Sequence, residues 1–480
     1  MRTTAHLSLL LVLSASATSA NADDPRTNSW LTTYSGQYAR LYATDADKTS
    51  GNAVTTWSRN TLNQSTPAYC GVHEVYSSAS WVYIRSSGLG SHIMGPWYLN
   101  AGHTMLFPNV PINTKTLYRI PRAPATNATH TLTGLGAIGY FVDGVAMYDS
   151  RDAFYWNGAG EAQGNGSWNR DAWVNEGITF DPGYAHQPGS GQYHYHANPP
   201  ALRYLLGDHV DFNAATKTYS ESTNAVTKHS PILGWMRDGF PLYGPYGYSN
   251  PTNAASGVCR MISGYTLRNG SNGTDNLTTT GRTAIPAWAS RAGETAMTGP
   301  NVSTTYPLGR YLEDNACLGD LINPNTGSNY VLGVDFDLNE WNTRWCVTPE
   351  FPNGTWAYFV SITAAGAPAF PYNVARTFFG NPTGSAVASI TEAVTTNLVG
   401  GANSALVMSA PGVSNNVVTL TWSATEGGTY RVEASGNLSS WTTNASGIAA
   451  VVNKGTTTTA NTGTNQFFRV TRTALATYDP

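Results

Sequence analysis

Charge is scarce in this 480-residue chain: Asp, Glu, Lys and Arg together make up 11% of it, against about a quarter in ordinary globular domains. So small a supply leaves little for the polar faces of helices, and helical periodicity is correspondingly rare. The net charge of −3 includes no basic concentration, which removes nucleic acid and a polybasic membrane contact from the partners to be considered. No run of about 20 apolar residues occurs, so no segment reads as a transmembrane helix. The four cysteines, Cys70, Cys259, Cys317 and Cys346, form no CxxC pair, which argues against a zinc ribbon or a thioredoxin-type site. G-x-S-x-G, H-E-x-x-H and Walker-type glycine loops are also absent, so the common serine-hydrolase, zincin and nucleotide-binding signatures are missing.

What the chain has in quantity is Gly (48), Pro (26), Tyr (27) and Trp (14), a composition that suits short strands joined by turns and loops. SASWVYIRSSG, IGYFVDGVAMYDS and GTWAYFVSI read as such strands. The expected fold is mostly β, with short helices near 286–291 and within 200–206, where Pro199-Pro200 can open a helical turn. At the start, Arg2 precedes an apolar run from Leu7 to Leu13 and small residues ending in Ala20-Asn21-Ala22, the pattern that signal peptidase cleaves. A leader over 1–22 and a secreted, periplasmic or cell-surface location are therefore expected. Export favours disulfides; four cysteines permit three pairings, among which the sequence does not choose, and Cys259 with Cys317 is the one favoured because both lie in one loop-rich region.

The most informative motif is Tyr193-His194-Tyr195-His196. On a β-strand successive side chains alternate, so two imidazoles share one face and two phenols the other. Ten histidines occur in the sequence, His6 within the expected leader, and five of the other nine fall between His186 and His229. His194 and His196 can direct ring nitrogens to one point, and Pro188, Gly189 and Gly191 favour a turn that folds His186 back onto the pair. A further ligand comes from His229 or Asp238, or from His209 beside Asp208. Imidazole-rich coordination suits zinc, copper, iron or nickel, and an oxidising exterior favours copper or zinc. Tyr193 and Tyr195 are expected in the core. Two other readings of the cluster stand beside metal binding: a hydrogen-bonded core, and metal-free catalysis with a histidine as general base beside Asp181 or Asp238.

The text around the tetrapeptide, HQPGSGQYHYHANPPALRYLLGDHV and KHSPILGWMRDGFPLYGPYGY, resembles the YHYH family of secreted, mostly bacterial proteins. The resemblance runs from about residue 30 to about 380, through AIGYFVDGVAMYDSRDAF, GRYLEDNACLGDL and FPNGTWAYFVSITAAGAPAFPYNVARTFFG. It implies a large β-rich domain over 23–380, with long loops. Residues 381–413, rich in Gly, Ala, Ser, Thr and Val and without an aromatic, read as a linker. The alternating segments in 414–475 resemble a fibronectin type III-like β-sandwich, with Trp422, Tyr430, Val432, Trp441, Phe468 and Val470 as its core.

Two further segments carry candidate chemistry. In DFDLNEWN, Asp335, Asp337, Asn339 and Glu340 could offer oxygens to Ca²⁺, although the EF-hand's sixth-position Gly and twelfth-position Glu are missing. DGFPLYGPYGY, with Tyr243, Tyr246 and Tyr248, is either packed core or an exposed aromatic platform for a glycan. The functional expectation is a metal-binding protein or metalloenzyme held by His186, His194 and His196 with His229 or Asp238. The alternative is a noncatalytic carbohydrate- or surface-binding, adhesive protein in which YHYH is a structural signature.

Overall fold

A computed structural model describes residues 24–462 and 466–480; the expected leader lies outside them. Short strands dominate, as the composition requires. The central element is an eight-stranded mixed sheet whose spatial order is Ala185–His186, His194–Tyr195, Ala146–Met147, Gly139–Phe141, Ile232–Met236, Pro241–Tyr243, Thr355–Phe359 and Thr343–Cys346. The strands Ala146–Met147, Gly139–Phe141, Ile232–Met236 and Pro241–Tyr243 are buried along their whole length. Such strands need apolar or hydrogen-bonded side chains on both faces, which is why they read as near-continuous runs of large residues.

A five-stranded antiparallel sheet lies against it in the order Ser385–Ala386, Thr116–Pro121, Trp81–Ser86, Val72–Ser77 and Thr395–Val399. One apolar cluster joins the two sheets: Val75, Val82, Ile84 and Ile120 share it with Phe141, Val142, Tyr195 and Leu242. Helices are short and include Pro200–Leu205 and Ala287–Arg291, where the prolines led them to be expected. The segment expected as a linker, 381–413, supplies both edge strands of the five-stranded sheet and is in that part integral to it. Backbone pairing needs no aromatic or charged side chain, so composition alone gave no sign of it.

Beyond residue 411 the chain forms two three-stranded sheets around a separate apolar cluster of Val418, Leu420, Trp422, Tyr430 and Val432, with Phe468 and Val470 against it. Trp441 is outside that cluster; it lies at the surface with the Arg469 guanidinium 4.5 Å from its ring centroid. This unit is docked on the amino-terminal segment. Glu426 accepts from the Tyr38 backbone N–H at 2.8 Å and pairs with Arg40 at 2.5 Å, while the Tyr69 hydroxyl donates to the Glu426 carbonyl.

The expected Cys259–Cys317 bridge is not formed, and all four cysteines are free. Cys259 packs at the edge of the main cluster and Cys317 belongs to a second one with Trp288, Leu312 and Phe370. Proximity in a loop-rich stretch of sequence was a poor guide to proximity in space.

Replacing Glu426 with Ala leaves the Tyr38 N–H and the Arg40 Nη2 without their acceptor, while Arg40 Nη1 keeps the Tyr38 carbonyl. The expected loss is about 1–3 kcal/mol, read as a lower urea midpoint; an unchanged midpoint would show that the docking contact carries no stability.

Candidate metal centre

The register of one hairpin creates the site. Ala185–His186 pairs antiparallel with His194–Tyr195 so that His186 stands directly across from His194. The connection turns at Pro188, whose carbonyl accepts from the Gly191 N–H at 2.9 Å. Gly191 has φ +77°, and a Cβ there would lie 2.7 Å from Ile112 Cγ1, so conformation and space both require glycine. On its other side His194–Tyr195 pairs parallel with Ala146–Met147, which brings Tyr148 onto His194. Their rings stack at 3.8 Å with an 18° interplanar angle. Phe180 lies edge-on to His186 at 4.7 Å, and Phe107 stacks on the same ring at 5.9 Å.

His186, His194 and His196 are buried, at 6%, 2% and 3% exposure, and one ligand atom from each lies within 4.8 Å of the others. Among the described residues this is the group of His, Cys, Asp and Glu side chains that converges closely enough to hold one ion. The histidine hydrogen bonds determine which atoms face inward. His194 Nδ1 is 2.9 Å from the Gln192 carbonyl and His196 Nδ1 is 2.7 Å from the Asp149 carbonyl. A carbonyl oxygen only accepts, so both Nδ1 atoms carry hydrogen. His186 Nδ1 is 2.7 Å from Thr179 Oγ1, whose single hydrogen is donated to the Glu176 carbonyl at 2.7 Å. Thr179 must therefore accept from His186. All three neutral rings are Nδ1–H tautomers, and their Nε2 lone pairs face the centre.

His194 Nε2 and His196 Nε2 stand 3.0 Å apart. A fourth acceptor faces them, since Glu176 Oε2 is 3.4 Å from His196 Nε2 and 3.6 Å from His186 Nε2. Glu176 ends the helix Ala172–Glu176, which Asp171 caps by accepting from the Val174 N–H. Burial, with the His186 and His196 rings adding to it, holds His194 well below the ordinary histidine pKa; burial likewise lowers His186 and His196. The imidazoles are thus neutral at neutral pH. Burial, reinforced by the Asp152 carboxylate, pushes Glu176 up to about 8. The three Nε2 atoms and the Glu176 carboxyl group thus face one another with no hydrogen-bond donor from another described residue among them, an arrangement that a cation relieves.

The remaining expected ligands lie elsewhere. His229 Nδ1 is 2.7 Å from the Ser230 carbonyl, and its ring packs on Tyr243 and Tyr248. Asp238 is a buried turn residue that accepts from the Tyr358 hydroxyl at 2.7 Å, the Gly380 N–H at 2.8 Å and the Phe240 N–H at 3.2 Å. It touches no imidazole. Asp208 accepts from Arg203 and Ser230, and the neighbouring His209 packs on Tyr246. The expected calcium oxygens do not converge: Asp335 accepts from the Val331 N–H, Asp337 from the Ile262 N–H, Asn339 from Thr343, and Glu340 from Arg291. Tyr243 and Tyr246 are buried, with hydroxyls on Glu350 and Glu221, so of the two readings of this segment these rings follow the packed core and not the exposed platform.

The family model described as YHYH protein matches residues 117–371, more than half of the chain. The chain belongs to the YHYH family. No curated protein and no solved structure matches it. The matched region of this family member contains all three converging histidines and Glu176.

The phenols of the YHYH strand occupy the opposite face, both fully buried. Tyr193 donates to Asp181 Oδ2 at 2.7 Å, and His92 Nε2 approaches the same hydroxyl at 3.1 Å. Asp181, one of the two carboxylates considered as partners for a general base, therefore serves the phenol face. Tyr195 approaches Asp143 Oδ2 at 3.4 Å, and burial pushes Asp143 up to about 7. Sequence reasoning passed over Glu176, Thr179 and Tyr148. The signal for Glu176 was a carboxylate ten residues before His186 in a short segment opened by the N-cap Asp171.

Asp143 generates a pH prediction. Below about pH 4 the carboxyl is protonated in the folded and unfolded chains alike. Between there and about 7 the folded chain holds the extra proton, so this group's contribution to stability falls as pH rises through that window. Asp143→Asn removes the titration. Its urea midpoint relative to wild type should move upward between about pH 5 and pH 8; parallel profiles would disprove the assignment.

Proposed function

We propose that this YHYH protein is a secreted metal-binding protein in which His186, His194 and His196 hold one copper or zinc ion. The observation that carries the reading is the set of three fixed tautomers, each with its Nδ1–H spent on an outward acceptor and its Nε2 lone pair directed at a common point. Histidine ligands in metal sites are oriented in this way, by a hydrogen bond from the other ring nitrogen.

The spacing agrees with coordination. Ligand atoms about 2.0–2.1 Å from one ion stand about 2.9 Å apart at right angles and about 3.3 Å apart in a tetrahedron. The 3.0 Å between His194 Nε2 and His196 Nε2 falls within that range. The 4.8 Å limit on the whole triad leaves at most about 1.5 Å of closure on the His186 side for a tetrahedral site. Nitrogen donors exclude calcium as the resident ion, and the oxidising exterior expected from the leader favours Cu(II) or Zn(II) over metals kept in reduced form. The small carboxy-terminal unit acts on this reading as a docking or spacing module of fibronectin type III-like style.

A structural role for the histidines is the second reading, supported by their burial and by the hydrogen bond that ties His196 to the Asp149 segment. The two are separated by elemental analysis of the tag-free protein beside the double variant His194→Ala/His196→Ala. Near-stoichiometric copper or zinc in the wild type, lost in a folded double variant, is the expected result. Thr179→Val, which removes the acceptor for His186 Nδ1–H, should weaken metal affinity by about 10- to 100-fold. A wild-type protein that takes up neither ion from Cu(II) or Zn(II) solution, with a double variant that unfolds, would replace the metal reading by the structural one.

A further inference from the structure

Three ligands of the centre are anchored and the fourth neighbouring group is not. Each imidazole is held from behind by a hydrogen bond to Gln192, Asp149 or Thr179. The Glu176 carboxylate, in contrast, receives no hydrogen bond among the described residues, and it faces the Nε2 atoms of His186 and His196. Its side chain is 28% exposed, whereas those of His186 and His196 are 7% and 4% exposed. The carboxylate therefore stands between the lone pairs and solvent.

We propose that Glu176 is an exchangeable fourth ligand and that a small monoanion replaces it at the ion, opening the site for chemistry on ligands of that class. This rests on the metal reading above. The separations of 3.4 Å and 3.6 Å from two Nε2 atoms are close to those between neighbouring donors of one coordination shell, about 2.9–3.4 Å. A carboxylate acting through a metal-bound water would stand farther from the imidazole nitrogens. The exchange breaks the metal–Oε2 bond and forms one metal–anion bond with no electron transferred; the coordination shell keeps its charge, and the freed Glu176 carboxylate, whose side chain is 28% exposed, takes one proton from solvent to balance the entering anion. The walls limit what enters, since Phe180 and Phe107 pack within 4.7 Å and 5.9 Å of the His186 ring. Removing the tethered competitor should strengthen anion binding, because an internal ligand acts at high effective concentration.

The test uses the Cu(II)-loaded full chain, with Glu176→Ala and Glu176→Gln, and azide as the probe. Copper content, the copper electron paramagnetic resonance spectrum and the azide-to-copper charge-transfer band are followed. The expected result is that both variants keep their copper, that their spectra differ from wild type before azide is added, and that Glu176→Ala binds azide about tenfold tighter or more. Spectra and azide affinities equal to wild type would overturn the assignment of Glu176 while leaving the triad intact. Copper lost from both folded variants would make Glu176 an obligatory ligand and also overturn the exchange. A wild-type chain that takes up no copper would overturn the metal reading itself.

Discussion

Three N–H groups pointing outward oblige three lone pairs to point inward, and the rest of the centre depends on that constraint. The acceptors come from three different places: the Gln192 carbonyl in the hairpin itself, the Asp149 carbonyl beyond the neighbouring parallel strand, and the Thr179 hydroxyl in the turn after the Asp171-capped helix. No one segment could orient the set. The Asp149 position is in turn secured by its own side chain, which accepts from Arg151 at 2.6 Å and Thr133 at 2.7 Å. Burial alone would raise the Asp149 pKa; Arg151 and Arg376 outweigh it, so the carboxylate stays ionised and the segment stays pinned.

The YHYH strand is two-faced in chemistry as well as geometry. Its imidazole face presents acceptors that lack donors, while its phenol face presents donors to buried carboxylates. Asp181 collects the Tyr193 hydroxyl, the Gly95 N–H at 2.7 Å and the Gly183 N–H at 2.9 Å. It thereby ties the hairpin to the loop that carries His92. The phenol side is a hydrogen-bonded core that fixes where the strand lies, and the imidazole side carries the converging lone pairs. Positioning and reactivity are divided between alternate residues of four.

The hairpin and its inward histidines are legible in the amino-acid sequence, from the alternation in YHYH and the Pro188-Gly189-Ser190-Gly191 turn, because period-two side-chain direction and turn chemistry are local properties. Strands such as Thr355–Phe359 and the helices after Pro199 and Pro286 are legible for the same reason. His229 and Asp238 stand apart from the three histidines because sequence proximity to the motif says nothing about the central strands between them: His229 precedes the Ile232–Met236 strand and Asp238 follows it, each on local partners of its own. Glu176 left only the faint signal of its spacing to His186 and its capped segment. Its nearness to His196 comes from where the end of the helix Ala172–Glu176 lies in the fold, a tertiary relation with no period to reveal it. The edge strands at 385–386 and 395–399 were hidden because their contribution is backbone pairing, which composition does not encode.

The pairing of His186 with His194 has a consequence for how the chain reaches its native state. Strand registers differ by whole residues, and a slip of one exchanges the two faces. In the slipped arrangement phenols would meet Glu176 and imidazoles would be driven against Asp143 and Asp181, with neither set finding its partners. The motif therefore works as a proofreading device: the same alternation that brings the three histidines together penalises every odd misalignment of the hairpin, so the converged triad marks a central sheet that has already aligned.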